Sequence, residues 1–198
     1  MRVLSLSAFL AVLFYYNSSP FTSAISLCPQ IWGKVPFDAS KFSGDWYVMA
    51  YKGDPALPER KCAKIKVEIG RKDNRTTIVY KFHYQLSTGE DKTAEFFTQA
   101  LRPTDPSTGF GVFVKTNYWE SLVKTGIVAT DYESFALVMA CGPLFDMDRR
   151  SFGRQIYANI LARSTEAIHP TAMTALKNMI SSYDINLDSL KYVDHSSC

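Results

Sequence analysis

The chain has 198 residues and a formal net charge of +3, and its 22 lysines and arginines are scattered along the chain among 19 acidic residues. Scattered charge excludes the clustered positive surface that is typical of proteins that bind nucleic acid or anionic membranes. The length suits one domain with a substantial core, and the 11 tyrosines and 13 phenylalanines favour strands and apolar cavities over helical bundles.

The N-terminal segment has the pattern of a secretory signal peptide. Met1 and Arg2 precede an apolar run over residues 3–16, and Thr22, Ser23 and Ala24 form a small-residue cleavage site. The run is shorter than the roughly 20 residues that span a bilayer. We therefore predict a signal peptide over residues 1–24 and one secreted, extracellular domain over residues 25–198, without stable membrane insertion.

Four cysteines remain in the predicted mature chain: Cys28, Cys62, Cys141 and Cys198. An even number in an oxidising compartment predicts two disulfides, and four cysteines allow three pairings that these positions do not separate. No two of them have the spacing of metal ligands, so no metal site is expected.

The first half of the mature chain alternates apolar and polar residues, as strands do. The first strand, over residues 44–51, has Trp46, Val48 and Ala50 on one face. In the second, Ala63, Ile65, Val67 and Ile69 alternate with Cys62, Lys64, Lys66 and Glu68, which predicts a half-exposed antiparallel strand. The third, over residues 77–86, is expected to turn Ile78, Tyr80, Phe82 and Tyr84 inward and His83 outward.

Five further strands follow, joined by short turns. The fourth would present Ala94, Phe96, Thr98 and Ala100 on one face, and the fifth Phe110, Val112, Val114, Thr116 and Tyr118. The sixth holds Ile127 and Ala129, and the last two cover residues 134–141 and 154–163. Eight antiparallel strands without intervening helices predict an all-β, up-and-down barrel, whose closure removes exposed edges.

The pattern changes near the C-terminus, where Pro170 suits the first turn of a helix. Met173, Leu176, Ile180 and Tyr183 recur at helical spacing. This stripe predicts a C-terminal α-helix packed on the outside of the barrel.

Several motifs, in this order and spacing, resemble those of the lipocalin family. The first consists of Phe42, Gly44, Trp46 and Tyr47, the second of Thr130, Asp131 and Tyr132, and the third of Arg163 after Ile160, Leu161 and Ala162. The segments from Glu133 to Cys141 and from Leu176 to Cys198 are similar to the branch of apolipoprotein D, bilin-binding protein and Lazarillo. The resemblance covers essentially the whole mature chain.

The resemblance implies a disulfide pairing and a set of facings. It pairs Cys28 with Cys141 and Cys62 with Cys198, and it places Arg163 over Trp46 at the closed end of the barrel. If Cys141 faces outward, then Phe135, Leu137 and Met139 also face outward, while Ala136, Val138 and Ala140 face the interior. Tyr157, Asn159 and Leu161 share the inward facing of Arg163. Gly44, Trp46, Thr130, Asp131, Tyr132 and Arg163 are assigned to stability.

The function that follows is transport: a secreted carrier that binds one small hydrophobic ligand, such as a bilin, carotenoid, fatty acid or steroid, in the barrel cavity. The predicted ligand contacts are Val48, Ala50, Ile65, Val67, Tyr80, Phe82, Phe96, Thr98, Val114, Tyr118, Ile127, Val138, Tyr157 and Asn159. The apolar members bury the ligand, and the polar ones orient its polar ends. No cofactor is expected other than a bound pigment or lipid. The alternative is that these residues fill the barrel as ordinary core.

Two other classes of function stay open. Some lipocalins modify lipids with a free cavity thiol, but here the implied disulfides use every cysteine, so we predict no enzymatic activity and no catalytic residue. A receptor-binding or self-associating protein is the third class, with ligand binding secondary and a cell-surface receptor or a second copy as partner.

Three polar features have two interpretations each. Asp131 suggests a catalytic acid, but its motif favours a turn. His83 lies on the polar face of its strand, although a shift of one residue in register would turn it inward. Asn74 begins the sequon Asn74-Arg75-Thr76 at an exposed turn, so we predict glycosylation there.

Overall fold

Eight long antiparallel strands follow from the alternation of apolar and polar residues. The computed structural model describes residues 28–53, 59–114, 122–146 and 150–198. The strands are β1 (Gly44–Lys52), β2 (Arg60–Lys72), β3 (Arg75–Leu86), β4 (Asp91–Arg102), β5 (Asp105–Val114), β6 (Val123–Thr130), β7 (Phe135–Asp146) and β8 (Ser151–Ala162). The predicted signal peptide lies outside the described residues.

The strands close into a barrel with up-and-down topology. Each strand pairs with the next along the chain, and β1 pairs with both β8 and β2. The predicted eight-stranded antiparallel barrel is therefore confirmed. β1 runs away from the end that holds Trp46, here called the closed end. The end of β1 at Lys52, the start of β2 at Arg60 and the β3–β4 turn therefore lie at the opposite end, here called the mouth.

The β2–β3 hairpin turns at the closed end through two residues. Asp73 and Asn74 have φ angles of 51° and 60°. Two consecutive positive φ angles are typical of the type I′ turn, which matches the twist of the flanking strands and favours Asn and Asp. This turn explains why the strand pattern is interrupted there.

The N-terminal arm runs along β6 and β7 before it enters β1. Cys28 is bonded to Cys141 of β7, and the Lys34 N–H donates to the Ile127 carbonyl at 2.8 Å. The arm ends in a short helix, α1 (Ala39–Phe42), whose N-cap Asp38 accepts hydrogen bonds from the first backbone N–H groups. After this capped helix, the chain enters β1 at the closed end.

The C-terminal helix α2 (Pro170–Ser181) packs on the outside of the barrel, as predicted. His169 is its N-cap, and Leu176 and Ile180 are buried against Leu137 and Ile160. Burial of such side chains contributes about 1.5–3 kcal/mol each. Among the described residues, no helix combines the length and apolar character that crossing a bilayer requires.

After α2, a 3-10 turn (Leu187–Ser189) leads into a ninth short strand, β9 (Lys191–Tyr192), which pairs with β1. The Val193 N–H donates to the Met49 carbonyl at 3.1 Å, and the Cys62 N–H donates to the Asp194 carbonyl at 3.0 Å. The tail therefore lies between β1 and β2 and forms part of the barrel wall. The Cys62–Cys198 disulfide holds it there.

Candidate ligand-binding site

Trp46 and Arg163 close one end of the barrel. The Trp46 indole is completely buried, and its Nε1 donates a hydrogen bond to the Phe42 carbonyl at 2.9 Å. The Arg163 guanidinium carbon lies 3.7 Å from the centroid of the Trp46 ring, a cation–π contact. Gly44 has a φ of +97°, and a Cβ there would lie 3.3 Å from the Arg163 Nη1. The closed end therefore has no room for a ligand at this point.

Arg163 also donates to three backbone carbonyls. Its Nε reaches the carbonyl of Tyr132 at 3.1 Å, its Nη1 that of Asp45 at 2.9 Å and its Nη2 that of Lys41 at 2.9 Å. Burial lowers the pKa of the guanidinium, while Asp45 and Asp131 act in the opposite direction. All three acceptors are backbone carbonyls of this chain, which supports a role for Arg163 in stability.

Asp131 organises the β6–β7 turn. Its Oδ1 accepts hydrogen bonds from the backbone N–H groups of Glu133, Ser134 and Phe135 at 3.1, 2.9 and 2.9 Å. Burial would raise the pKa of Asp131, but hydrogen bonds from Phe135, Ser134 and Glu133 outweigh it, and the pKa is lowered. All these donors belong to the turn, so the geometry favours the turn role over a catalytic acid.

Apolar side chains fill the barrel interior next to the closed end. These residues are 1–6% exposed: Val48, Ile65, Val67, Tyr80, Phe96 and Ile127. Burial raises the pKa of the Tyr80 hydroxyl, which therefore stays protonated. The buried Thr98 hydroxyl donates to the Ile78 carbonyl at 3.3 Å.

Other inward-facing positions of the barrel are less tightly packed. Several residues that face inward are only half-buried: Phe82, Tyr84, Val138, Ala140, Tyr157 and Asn159. Val138 pairs with Asn159, and Ala140 pairs with Tyr157, so the four form one patch on β7 and β8. A side chain that points into a filled barrel would be buried. The half-buried patch therefore marks a part of the interior that solvent reaches, here called the cup.

The predicted facing of Ala50 is wrong. Ala50 packs with Leu137, Ile160 and Leu176 in the cluster between the barrel and α2. The cause is a bulge between Val48 and Ala50 in the pairing with β8, which adds a residue and reverses the alternation. Ala50 therefore does not line the interior.

The predicted inward facing of β5 is also wrong where its side chains are described. Phe110 and Val112 line a groove on the outer surface, together with Phe97 and Leu122. Gly111 faces inward instead, and the Phe96 ring occupies the space that a side chain there would need: a Cβ on Gly111 would lie 2.3 Å from Phe96 Cζ.

The facing of two further predicted ligand contacts, Val114 and Tyr118, is not tested. Val114 pairs with Glu95 at the end of β5, and its side chain lies outside the described part of the molecule. Tyr118 lies outside the described residues.

Sequence reasoning missed four residues of the interior. Tyr51 turns inward after the β1 bulge, and Val193 faces inward from the tail. Val123 joins the same interior cluster from the start of β6. Arg60 projects from the inner face of β2 at the mouth, where its guanidinium meets the Tyr51 ring. The aromatic and apolar types were visible in the sequence, but the bulge and the tail position were not.

The three histidines lie apart from one another. His83 is exposed on β3, as predicted, and the His169 Nδ1 accepts from the Thr171 N–H at 3.3 Å. His195 in the tail contacts the Val48 carbonyl through Nε2 at 3.0 Å. In the described ranges, no group of three His, Cys, Asp or Glu side chains is arranged to hold a metal ion.

Comparisons with known proteins agree with this architecture. Rat apolipoprotein D is 28% identical over 182 residues, which cover 86% of this chain and 84% of the relative. Apocrustacyanin A1 from lobster superposes with a TM-score of 0.59 at 16% identity, covering 80% and 81% of the two chains. Insecticyanin from the tobacco hornworm Manduca sexta gives 0.55 at 18% identity, covering 85% and 86%. No protein-family profile matches the sequence.

A closed antiparallel barrel of eight strands, an external C-terminal helix and an arginine stacked on a buried tryptophan define a lipocalin fold. The sequence is also similar to that of apolipoprotein D along most of its length.

Proposed function

We propose that this protein is a secreted carrier that binds one small hydrophobic molecule in the cup of the barrel interior. The observation that carries the proposal is the half-buried state of inward-facing Phe82, Val138 and Ala140, beside almost complete burial of Val48 and Ile65. A bilin, carotenoid, fatty acid or steroid has the apolar surface that such a cup would take from water.

The chemistry of the cup suits an apolar guest with few polar groups. Each methylene of a ligand that leaves water contributes about 0.8 kcal/mol. Tyr157 and Asn159 supply polar groups on the β8 side of the cup, where they would orient a polar end of the ligand.

A carrier suits the cysteine chemistry better than a thiol-dependent enzyme does. All four cysteines form disulfides, Cys28 with Cys141 and Cys62 with Cys198, so no thiolate is available as a nucleophile. Disulfides of this kind persist in oxidising compartments, which supports the proposed secretion. A thiol titration that found a reactive cysteine in the native protein would contradict this part of the proposal.

A matched pair of substitutions tests the cup. Val138→Trp adds an indole to the half-buried inward patch, whereas Val112→Trp adds the same group to the outer groove. We expect Val138→Trp to weaken binding of the uncharged fluorescent probe N-phenyl-1-naphthylamine about tenfold or more, because the indole occupies the ligand's space. Val112→Trp should leave the affinity unchanged.

Thermal unfolding of both variants shows whether they keep the fold. Equal affinities in the wild type and Val138→Trp would contradict the proposed location of the ligand. A wild type that binds no lipophilic probe would contradict the carrier function itself. The absorption spectrum and extracted-ligand mass of protein from its natural source would then identify the ligand.

A further inference from the structure

Three side chains meet where the barrel interior opens at the mouth. Arg60 is the first residue of β2 and pairs with Leu86, which is in phase with the inward-facing Tyr84. The Arg60 guanidinium carbon lies 4.7 Å from the Tyr51 ring centroid and 4.6 Å from the Tyr84 ring centroid. Two rings from β1 and β3 therefore hold a cation at the rim of the cup.

The charge of Arg60 has no anionic partner in the part of the chain that the structure describes. Its guanidinium forms no salt bridge there, and no described residue accepts a hydrogen bond from it; Glu59 is its exposed neighbour in sequence. The two rings engage the guanidinium through their π-systems, which leaves its N–H groups free as donors. A half-buried guanidinium with free donors is suited to a carboxylate, which it binds through two parallel hydrogen bonds.

The Tyr51 hydroxyl is a second free polar group at this place. Tyr51 is only 4% exposed, and its hydroxyl has no hydrogen-bond partner among the described residues. Burial raises the pKa of this hydroxyl and the Glu59 carboxylate also raises it, while the charge and backbone N–H of Arg60 lower it less, so the hydroxyl remains protonated. Leaving a buried hydroxyl without a partner costs about 1–3 kcal/mol, which an acceptor on a ligand would recover.

We propose that Arg60 and Tyr51 bind the carboxylate of an amphiphilic ligand whose apolar part extends into the cup toward Phe82 and Val138. The proposal rests on the proposed carrier function and narrows its ligand class to hydrophobic molecules that carry a carboxylate. The cation and the hydroxyl hold the head group at the mouth, and the apolar walls take the rest of the molecule.

Two ligand pairs that differ in the head group test the proposal on the intact protein. Oleate and oleyl alcohol present a flexible chain, and retinoate and retinol present a rigid one. Each ligand displaces N-phenyl-1-naphthylamine, whose own affinity is measured first. In the wild type we expect the carboxylate of at least one pair to bind about tenfold or more tighter than its alcohol. The pair that shows the difference tells whether the cup takes a flexible or a rigid body.

Arg60→Gln removes the charge and keeps most of the side-chain length. We expect it to weaken binding of the preferred carboxylate about tenfold or more and to leave the alcohols and the uncharged probe unchanged. Lys61→Gln is the matched control, because it removes one positive charge from the next residue, which pairs with Gln85. Its carboxylate affinity should equal that of the wild type.

The outcomes separate this proposal from the carrier function. If the wild type binds the probe and the alcohols but Arg60→Gln binds the carboxylates as tightly as the wild type, the head-group site is wrong and the carrier function stands. An equal loss for carboxylates, alcohols and probe would assign Arg60 a structural role and overturn the proposal. If the wild type binds neither the probe nor any of the four ligands, the carrier function itself fails.

Discussion

Arg163 connects three backbone segments that are distant in sequence. It donates to carbonyls of α1, β1 and the β6–β7 turn while its guanidinium stacks on Trp46. Only a planar group with several donors in fixed directions makes all these contacts at once. The motif residue therefore holds the closed end together, away from the proposed head-group site at the mouth.

Replacement of Arg163 by lysine tests that role. Lysine keeps the charge but cannot stack and donate to three carbonyls together, so we expect Arg163→Lys to lower the free energy of unfolding by about 1–3 kcal/mol. Urea denaturation measures the change. Affinity for N-phenyl-1-naphthylamine under native conditions should stay within about twofold of the wild type.

Arg154→Lys is the control, because Arg154 forms a salt bridge with the exposed carboxylate of Asp184 at 3.6 Å. Such surface pairs contribute about 0–1 kcal/mol, so its stability should hardly change. If Arg163→Lys lost ligand binding at unchanged stability, the assignment of this residue to the closed end's stability would be wrong.

At the scale of single strands, alternation predicted most facings, because side chains in a strand change sides at every residue. It succeeded along β3, where Ile78 and Tyr80 are buried inside, and along β7, where Val138 faces in and Met139 faces out. It failed for Ala50, since one bulge reverses the order and nothing in the local residue types marks the bulge.

The failure along β5 has a different cause. Phe110 and Val112 have the apolar character of interior residues, yet they lie on the outer surface. The interior position belongs to Gly111, where the Phe96 ring from the neighbouring strand fills the space. A contact between two strands decides this facing, so the pattern of one strand alone could not predict it.

The C-terminal tail acts as an additional element of the wall. β1 and β2 pair over only Gly44–Tyr47, and beyond that point the backbone of Val193 and Asp194 supplies the hydrogen bonds. Because these contacts are few, we expect the tail to depend on the Cys62–Cys198 disulfide. A crosslink over 136 positions restricts the unfolded chain and contributes about 3–5 kcal/mol.

The double variant Cys62→Ser/Cys198→Ser tests this dependence. We expect the Val193 amide to exchange hydrogen faster than the most protected amides of β7 and β8, which shows local opening of the tail. In the control, Cys28→Ser/Cys141→Ser, the protection of Val193 should stay unchanged relative to those amides. Equal relative protection of Val193 in both double variants would show that β-pairing alone holds the tail.

For the whole molecule, motif residues that lie far apart in the sequence predicted the fold better than the alternation within single strands did. Two cysteine pairs, one arginine over one tryptophan and eight strands restrict the chain to one closed barrel, and all are present. The candidate site was less predictable, because Arg60 and Tyr51 come together through the β1 bulge and a second register shift between Lys61 and Lys64 of β2. Neither event has a local sequence signal.

The proposed head-group site and the predicted glycosylation site lie at opposite ends of the barrel. Asn74 is exposed in the β2–β3 turn at the closed end, opposite the mouth. A glycan there would extend into solvent without crossing the entrance to the cup. We therefore expect the protein from a eukaryotic secretory host to carry an N-linked glycan at Asn74 and to bind N-phenyl-1-naphthylamine equally well with and without it.

Two substitutions of the sequon threonine provide the measurement without disturbing the positive φ of Asn74. Thr76→Ala removes the hydroxyl that the sequon requires, and Thr76→Ser keeps it. Intact mass should show the glycan in the wild type and in Thr76→Ser but not in Thr76→Ala, and the same spectra give the N-terminus, which we expect near Ile25. An unglycosylated wild type would contradict the modification. Weaker probe binding by the glycosylated form alone would place Asn74 nearer the entrance than the barrel's up-and-down order allows.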